Sequence, residues 1–211
     1  MKRLSVIAIL MLMQSCEQDP PRAEIGAEVP WVISDAKDWS ELQLGGEGSA
    51  QWTDGVLRLD AGVEMTGSQY GGALPEIPYE LELEARKMSG SDFFCGLTFP
   101  VSSAAECVTL VVGGWGGVTV GISSIDGKDA SENETTSYGS FESEKWYAIR
   151  VTVKKGEVLA WVDGEEVVNL ATEGRKLGLR RGAIESCAPL GLAAWQTGSE
   201  IRAVRWRSIP D

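Results

Sequence analysis

The strand-like segment "YELELEA" carries the carboxylates best placed for chemistry. Glu80, Glu82 and Glu84 alternate with Leu81 and Leu83, so an extended backbone places the three carboxylates on one face. Same-face neighbours on a strand lie about 6.5–7 Å apart, within the roughly 5–9.5 Å that separates the two carboxylates of glycosidases. The spacing therefore permits acid–base chemistry on a glycosidic bond, although an exposed acidic strand face is the commoner reason for such a pattern.

Histidine is absent from all 211 residues, which excludes Ser-His-Asp and Cys-His nucleophile systems and every histidine-ligated metal site. Cys95, Cys107 and Cys187 are far apart in sequence, so zinc is not expected; one disulfide or three buried thiols both fit. The formal net charge of −12 disfavours nucleic acid and anionic lipid headgroups as partners. A ligand is therefore expected to be neutral or cationic, unless the charge serves solubility alone.

The chain contains eight tryptophans. Aromatic planes stack against the C–H faces of sugar rings, and each indole can bury about 200 Å². Trp115 lies among four glycines in "VVGGWGGVTV", where no bulky neighbour competes for its surface. The pattern predicts a tight hairpin tip, with Trp115 either exposed for ligand stacking or packed as a plug over the end of the fold.

The longest polar stretch, "SSIDGKDASENETTSYGSFESEKW", concentrates oxygen ligands in Asp126, Asp129, Asn133 and Glu134. Calcium binds about six to eight such oxygens. The spacing does not match an EF-hand loop, so a solvated loop is the alternative to a calcium site. No other cofactor is predicted.

Residues 1–15 have the layout of a signal peptide, with Lys2 and Arg3, a short apolar run and then polar residues. The run is too short for a transmembrane helix, which needs about 20 apolar residues. The following "LMQSC" is similar to the lipobox of bacterial lipoproteins, which are lipidated at the cysteine. We expect a lipid anchor at Cys16, a flexible linker over residues 16–30 and a location in the cell envelope, periplasmic or surface-facing; simple secretion is the alternative.

From residue 31 to 211 the dominant hydrophobic period is two, which predicts short antiparallel strands. Asp54-Gly55 and Asp163-Gly164 are hairpin-turn dipeptides between such strands. The sequence has no convincing amphipathic helix of three turns. We expect one all-β domain, a two-sheet antiparallel jelly-roll sandwich.

Four segments come in the order of a known domain: "AQWTDGVLRLDAG", "PYELELEARKMSGSDFFCGLTF", "KWYAIRVTVKKGEVLAWVDGEEVV" and "PLGLAAWQTGSEIRAVRWRSI". They resemble the 3-keto-disaccharide hydrolase-like domain of the concanavalin A-like lectin/glucanase superfamily. The resemblance covers residues 31–209 and implies a concave sheet that carries the ligand. Glu84 matches the acidic residue of the family's "LEFR" strand and Arg202 the arginine of its "FRNI" strand, so the resemblance makes these two the candidate catalytic residues.

The same resemblance shows two reactive positions that are lost. In the family, a histidine precedes the aromatic residue of the "xWxNG" hairpin, whereas this chain has Ala160 there, just before Trp161. At the position of a second family histidine, this chain has Trp195. Replacing acid–base residues by aromatic surface favours binding over chemistry. The candidate ligand-binding residues are therefore Trp115, Arg150, Trp161 and Trp195.

These observations predict a lipid-anchored carbohydrate-binding domain for neutral polysaccharides or glycosides, with no nucleic-acid partner and no membrane contact beyond the anchor. The alternatives are a hydrolase or lyase on 3-keto sugars that uses Glu84 and Arg202, and a structural protein of the cell envelope. A cleft shared by Glu84, Arg150, Trp161 and Trp195 would favour binding or catalysis over the structural role.

Overall fold

Two antiparallel β-sheets make up the computed structural model, which describes residues 29–210. The predicted all-β, two-sheet jelly-roll sandwich is confirmed. The signal segment and Cys16 lie outside the described residues, so the lipid anchor stays a prediction. Within the described part of the chain, no helix combines the length and the apolar character that a membrane crossing requires.

Short strands carry nearly all of the regular structure between residues 29 and 210. They are β1 (Val32–Ile33), β2 (Trp39–Glu41), β3 (Ala50–Thr53), β4 (Val56–Leu59), β5 (Met65–Tyr70), β6 (Tyr79–Ser89), β7 (Cys95–Ser103), β8 (Glu106–Gly113), β9 (Thr119–Ser123), β10 (Ser137–Tyr138), β11 (Tyr147–Lys154), β12 (Glu157–Val162), β13 (Glu165–Ala171), β14 (Gly191–Trp195) and β15 (Gly198–Ser208). One helical turn, α1 (Gly114–Gly117), connects β8 and β9, and two 3₁₀ turns span Ala36–Asp38 and Ala183–Cys187.

The order of the strands decides which side chains share a face. Sheet A has the order β13-β12-β11-β6-β15-β4-β3, with β1 paired to β15. Sheet B has the order β10-β9-β8-β7-β14-β5-β2. Strand β6 therefore lies near the middle of sheet A, whereas β14 lies between β7 and β5 in sheet B.

The predicted hairpins form at the Asp-Gly dipeptides. Asp54 and Gly55 join β3 to β4 with φ values of 51° and 78°, and Asp163 and Gly164 join β12 to β13 with 51° and 83°. Two successive residues with positive φ are typical of the type I′ turn, whose twist matches that of the flanking strands. A third predicted hairpin also forms, because β8 pairs with β9 on either side of α1.

The main core lies between the two sheets and follows the period of two. On β6, Leu81 and Leu83 point into it and are almost completely buried, while the intervening glutamates point outward. On β8, Val108, Leu110 and Val112 face the same core. Their neighbours Thr109 and Val111 must therefore lie on the opposite, outer face of sheet B.

A smaller apolar cluster covers part of that outer face of sheet B. Met65, Ala193, Leu42 and Cys187 form it, and the 3₁₀ turn Ala183–Cys187 packs over the sheet there. The turn gives sheet B a partial third layer, which makes one wall of the pocket described below.

All three cysteines in the described part of the chain are free, buried thiols, so the alternative of a disulfide among them is wrong. Burial raises the pKa of Cys95 and of Cys187 from 9.0 to about 12. A high pKa keeps a thiol protonated and unreactive, so these residues serve packing.

Candidate functional site

The predicted site residues are divided between the two sheets. Glu84 on β6, Arg150 on β11 and Trp161 on β12 lie in sheet A, whereas Trp195 ends β14 in sheet B. The four residues do not share one cleft: Glu84, Arg150 and Trp161 line a groove on sheet A, and Trp195 lies outside it. The reason is topological: β14 hydrogen-bonds to β5 and β7, so Trp195 belongs to the other layer.

On the outer face of sheet A, Glu84 is one member of a ladder of ion pairs between β6 and β15. At four positions an arginine on one strand faces a glutamate on the other. The pairs and their closest N–O distances are Arg86–Glu200 (2.5 Å), Arg202–Glu84 (2.5 Å), Arg205–Glu82 (2.7 Å) and Arg207–Glu80 (2.9 Å). The candidate catalytic pair, Glu84 and Arg202, thus repeats a pattern seen three more times. Because these pairs are only partly buried and remain in contact with solvent, each contributes on the order of 1 kcal/mol, and the ladder mainly orders the face.

A bulge in β15 keeps the ladder in register. Arg202 pairs with Glu84 and Arg205 pairs with Glu82, so β15 has one extra residue between these two positions. Ala203, within this bulge, has a φ of 53°. Arg202 and Arg205 are three residues apart, so in a regular strand they would lie on opposite faces, and Arg205 would point toward the core.

Tryptophan rings cover the arginines of sheet A. The centroid of the Trp161 ring lies 4.2 Å from the guanidinium carbon of Arg150. The ring of Trp146 lies against Arg202 at 4.0 Å and against Arg86 at 4.6 Å. Such cation–π contacts are worth about 0.5–1 kcal/mol at exposed sites. The Arg150 contact occupies one face of the Trp161 ring, and Trp161 also lines a groove of about 510 Å³.

A second pocket, of about 300 Å³, lies on the outer face of sheet B. Its floor contains Met65 of β5 and the outward side chains Thr109 and Val111 of β8. Trp115 and Trp195 line it, and segment 180–184 closes a third side. We call this the sheet B pocket; it brings together the two sequence-predicted tryptophans that do not belong to sheet A.

Trp115 is held at this pocket by an unusual backbone. The glycines around it form the turn α1, and Trp115 itself adopts left-handed values, with φ 46° and ψ 63°. Residues with a Cβ rarely adopt this region. The ring is 38% exposed, and the Arg180 guanidinium lies 6.0 Å from its centroid. The prediction of an exposed hairpin tip is confirmed, and the alternative of a buried plug is wrong.

Phe93 supplies a third aromatic side chain to the sheet B pocket. It lies in the loop between β6 and β7, opposite in direction to the fully buried Phe94. The Phe93 backbone carbonyl accepts a hydrogen bond of 3.0 Å from the Trp195 backbone N–H, and this bond connects the loop to β14. Asp92 precedes it, and one Asp92 carboxylate oxygen accepts from the Phe93 N–H at 2.7 Å.

The charged groups of the sheet B pocket are largely unpaired. Glu64, Asp92 and Arg181 form no ion pair with any residue between 29 and 210, and Arg180 has one loose contact of 3.4 Å with Asp129. Glu64 and Asp92 offer carboxylate acceptors, and the two arginines offer donors. A pocket with aromatic sides and unused donors and acceptors can bind a polar ligand that has an apolar face.

Sequence reasoning missed Glu64, Asp92, Phe93, Arg180 and Arg181. They come from three loops far apart in the chain, and only the strand order of sheet B brings them together. One local signal was present: adjacent arginines in "GLRRGA" are unusual in a chain of net charge −12.

The acidic loop does not gather its predicted calcium ligands. Asp126 and Glu134 both pair with Arg175, with an Asp126 distance of 2.8 Å. The Lys176 N–H and the Arg175 guanidinium hold the pKa of Asp126 below its ordinary value. Among residues 29–210, no group of three acidic or cysteine side chains is arranged to hold a metal ion.

Asn133 has a structural role in the same loop. Its amide nitrogen donates to the carbonyls of Ile122 and Asp129 at 2.8 and 2.7 Å, and its oxygen accepts from the Thr135 N–H at 2.9 Å. The side chain therefore ties the loop to β9 rather than facing an ion.

No protein-family model and no curated protein matches this chain. Solved structures do match. The Crh5 transglycosylase in complex with NAG has a TM-score of 0.59 at 11% identity, over 85% of this chain and 84% of that one. The VIP36 exoplasmic/lumenal domain, in its Ca²⁺/Man-bound form, has a TM-score of 0.57 at 11% identity, over 82% and 84%.

The carbohydrate-binding module CBM66 from Bacillus subtilis has a TM-score of 0.51 at 14% identity, over 81% of this chain and 96% of that one. Identities this low establish the fold alone. The chain thus has the concanavalin-like jelly-roll fold. The narrower resemblance to the 3-keto-disaccharide hydrolase-like family stays a prediction.

Proposed function

We propose that this chain is a carbohydrate-binding domain whose ligand lies in the sheet B pocket. The observation that carries the proposal is the pair of partly exposed tryptophans, Trp115 and Trp195, which line one pocket together with Phe93. Sugar rings have C–H faces that stack on aromatic planes and hydroxyls that need donors and acceptors. The structures similar to this chain include a carbohydrate-binding module and a domain in its Ca²⁺/Man-bound form, which supports the same class of ligand.

The charges of the pocket favour a neutral sugar. Two carboxylates, of Glu64 and Asp92, face two guanidinium groups, of Arg180 and Arg181, so the lining carries no net charge. An acidic sugar would meet the carboxylates and a basic sugar the arginines. A neutral sugar can use both as hydrogen-bond partners without burying an unpaired charge.

Calcium is not required in this proposal. Arg175 already neutralises Asp126 and Glu134, and Asn133 is fully engaged with the backbone. Glycan affinity should therefore be the same in calcium and in a chelator.

The test compares two tryptophans on opposite sheets. A glycan array on the mature domain identifies ligands, and calorimetry then measures affinity. Trp195→Ala should weaken binding about tenfold or more, because the ring loses its stacking contact. Trp161→Ala is the matched control on sheet A, and it should leave affinity unchanged. Loss of binding in the control but not in Trp195→Ala would place the ligand on sheet A and overturn the proposal.

A second assay separates binding from chemistry. We expect no turnover of 3-keto-glucosides, because the Glu84 carboxylate is held by Arg202 in a repeated ion pair. Hydrolysis that disappears in Glu84→Gln, but persists in Glu82→Gln, would establish the hydrolase instead.

The proposal includes the lipid anchor at Cys16 and has a geometric consequence. Strand β1 pairs with β15, and the Trp31 ring lies 4.3 and 4.4 Å from the guanidinium groups of Arg205 and Arg207 on the outer face of sheet A. The chain therefore enters the domain on the face opposite the sheet B pocket. Residues 17–30 span at most about 45 Å, which limits the distance between an anchored domain and the membrane.

A further inference from the structure

We infer that the sheet B pocket is one half of a longer groove, and that the groove takes an internal stretch of an oligosaccharide rather than a chain end. This inference rests on the proposed function and specifies its ligand. It comes from a second cavity of about 430 Å³ that adjoins the first. The two cavities share three lining residues: Glu64, Met65 and Ala183.

Each half is large enough for a ligand of its own. Small-molecule sites occupy roughly 300–1,000 Å³, and the two halves measure about 300 and about 430 Å³. Met65 forms a common floor, because it lies in the apolar cluster beneath both halves. Two sugar rings joined through one glycosidic bond would thus lie on either side of Met65.

Hydrogen bonds from Gln196 position the backbone at the boundary between the halves. Gln196 donates its backbone N–H to the Glu64 carbonyl at 2.8 Å and its side-chain amide to the Val63 carbonyl at 2.7 Å. These bonds hold Glu64 where both halves meet. A carboxylate in that place can accept hydroxyl hydrogens from two consecutive sugar units.

Glycines leave both halves of the groove open. In the far half, Gly45 has no other atom within 4 Å of the place where a Cβ would lie. In the near half, the same holds for Gly182. A pocket that caps a chain end needs a wall beyond the terminal sugar, whereas these open positions leave room for the chain to continue.

The far half lacks an aromatic side chain but has a fixed acceptor. The Gly46 N–H donates to the Glu47 carboxylate at 2.8 Å, and the backbone N–H groups lower the pKa of Glu47. The Gly46 N–H thus orients the Glu47 carboxylate within its own loop. Because only the near half offers stacking, we expect the near half to supply most of the affinity and the far half to supply the dependence on chain length.

The first experiment uses the native domain and a length series. Calorimetry measures the affinity for the mono- to hexasaccharides of the neutral homopolymer that binds best in the array. Affinity should rise at least tenfold from the monosaccharide to the disaccharide, which fills both halves, and should then level off. Borohydride reduction of the terminal sugar should leave hexasaccharide affinity unchanged. Equal affinity for the monosaccharide and the hexasaccharide, or loss of binding on reduction, would show that the pocket recognises a single terminal sugar.

The second experiment fills the far half. A Cβ at Gly46 would meet only the Val63 Cβ, at 3.9 Å, so the backbone tolerates a side chain. Gly46→Leu should reduce trisaccharide affinity to the monosaccharide value and leave the monosaccharide unaffected; Gly46→Ala is the control. If Gly46→Leu does not fold, the length series alone decides. Binding that depends on Trp195 but not on chain length refutes the groove and leaves the proposed function intact, whereas no binding of any sugar refutes both.

Discussion

Trp115 offers the sharpest test, because its backbone and its ring make separate predictions. The ring is 38% exposed at the sheet B pocket, while its backbone has a φ of 46°. Trp115→Ala removes the ring and keeps a Cβ in the left-handed region. Trp115→Gly removes the ring and also removes the Cβ that makes this region unfavourable.

The expected loss of stability is small for both variants. A tryptophan buries about 200 Å² when fully covered, and 38% exposure leaves about three fifths of that covered. At about 25 cal/mol per Å², burial of the Trp115 side chain contributes at most about 3 kcal/mol to the free energy of unfolding. The loss in the variant is smaller, because alanine still buries some surface and the denatured chain is itself partly compact. We expect Trp115→Ala to cost about 1–2 kcal/mol. Trp115→Gly should be more stable than Trp115→Ala by about 1 kcal/mol, because the backbone strain is relieved.

Binding should not distinguish the two variants. Both lose the same stacking contact, worth about 1 kcal/mol or slightly more, so both should bind glycan about tenfold more weakly. Denaturant unfolding and calorimetry on the same samples measure the two effects. A loss of about 3–5 kcal/mol in Trp115→Ala would be the value for a core aromatic, and it would refute the assignment of Trp115 to an exposed binding surface.

Three further outcomes follow from the described contacts and from the sequence. Asn133→Ala should cost about 3 kcal/mol in chemical denaturation, because it leaves several buried backbone groups of the acidic loop without partners; a loss below about 1 kcal/mol would contradict this role. The stabilising contribution of the two protonated thiols should be fully present below pH 9 and should fall as the pH rises toward 12. The reason is that the pKa of Cys95 and of Cys187 is about 12 in the folded protein and 9.0 ordinarily. In pH-dependent melts, Cys187→Ala should show a shallower decline than the native protein. Cys16→Ser should move the protein from the membrane to the soluble fraction, and a mutant that stays membrane-bound would rule out the anchor.

The strands and turns were predictable because their signals are local. The alternation in "YELELEA" and the positive-φ preference of Asp163-Gly164 depend on residues that are neighbours in sequence. The pocket was not predictable in this way. Glu64, Asp92 and Arg180 precede or follow different strands, and they meet only because β14 lies between β7 and β5. A period of two separates inward from outward side chains, but it does not say which of the two outer faces a residue joins.

The contrast between Trp161 and Trp195 shows what distinguishes a binding face from a structural one. Both tryptophans are half-buried and both end or nearly end a strand. The ring of Trp161 is covered by Arg150, which itself lies 3.8 Å from the Glu80 carboxylate. A sugar at Trp161 would have to displace contacts that are already made, so its new hydrogen bonds would replace existing ones with little net gain.

At Trp195 the balance is different. Among residues 29–210 no arginine or lysine lies over its ring, and the nearby Glu64 and Asp92 have no ion-pair partner. A sugar hydroxyl can donate a hydrogen bond to either carboxylate without displacing an existing ion pair. The difference in partners, rather than the presence of tryptophan or the volume of the cavity, is why we place the ligand on sheet B although the groove on sheet A is larger than the first pocket.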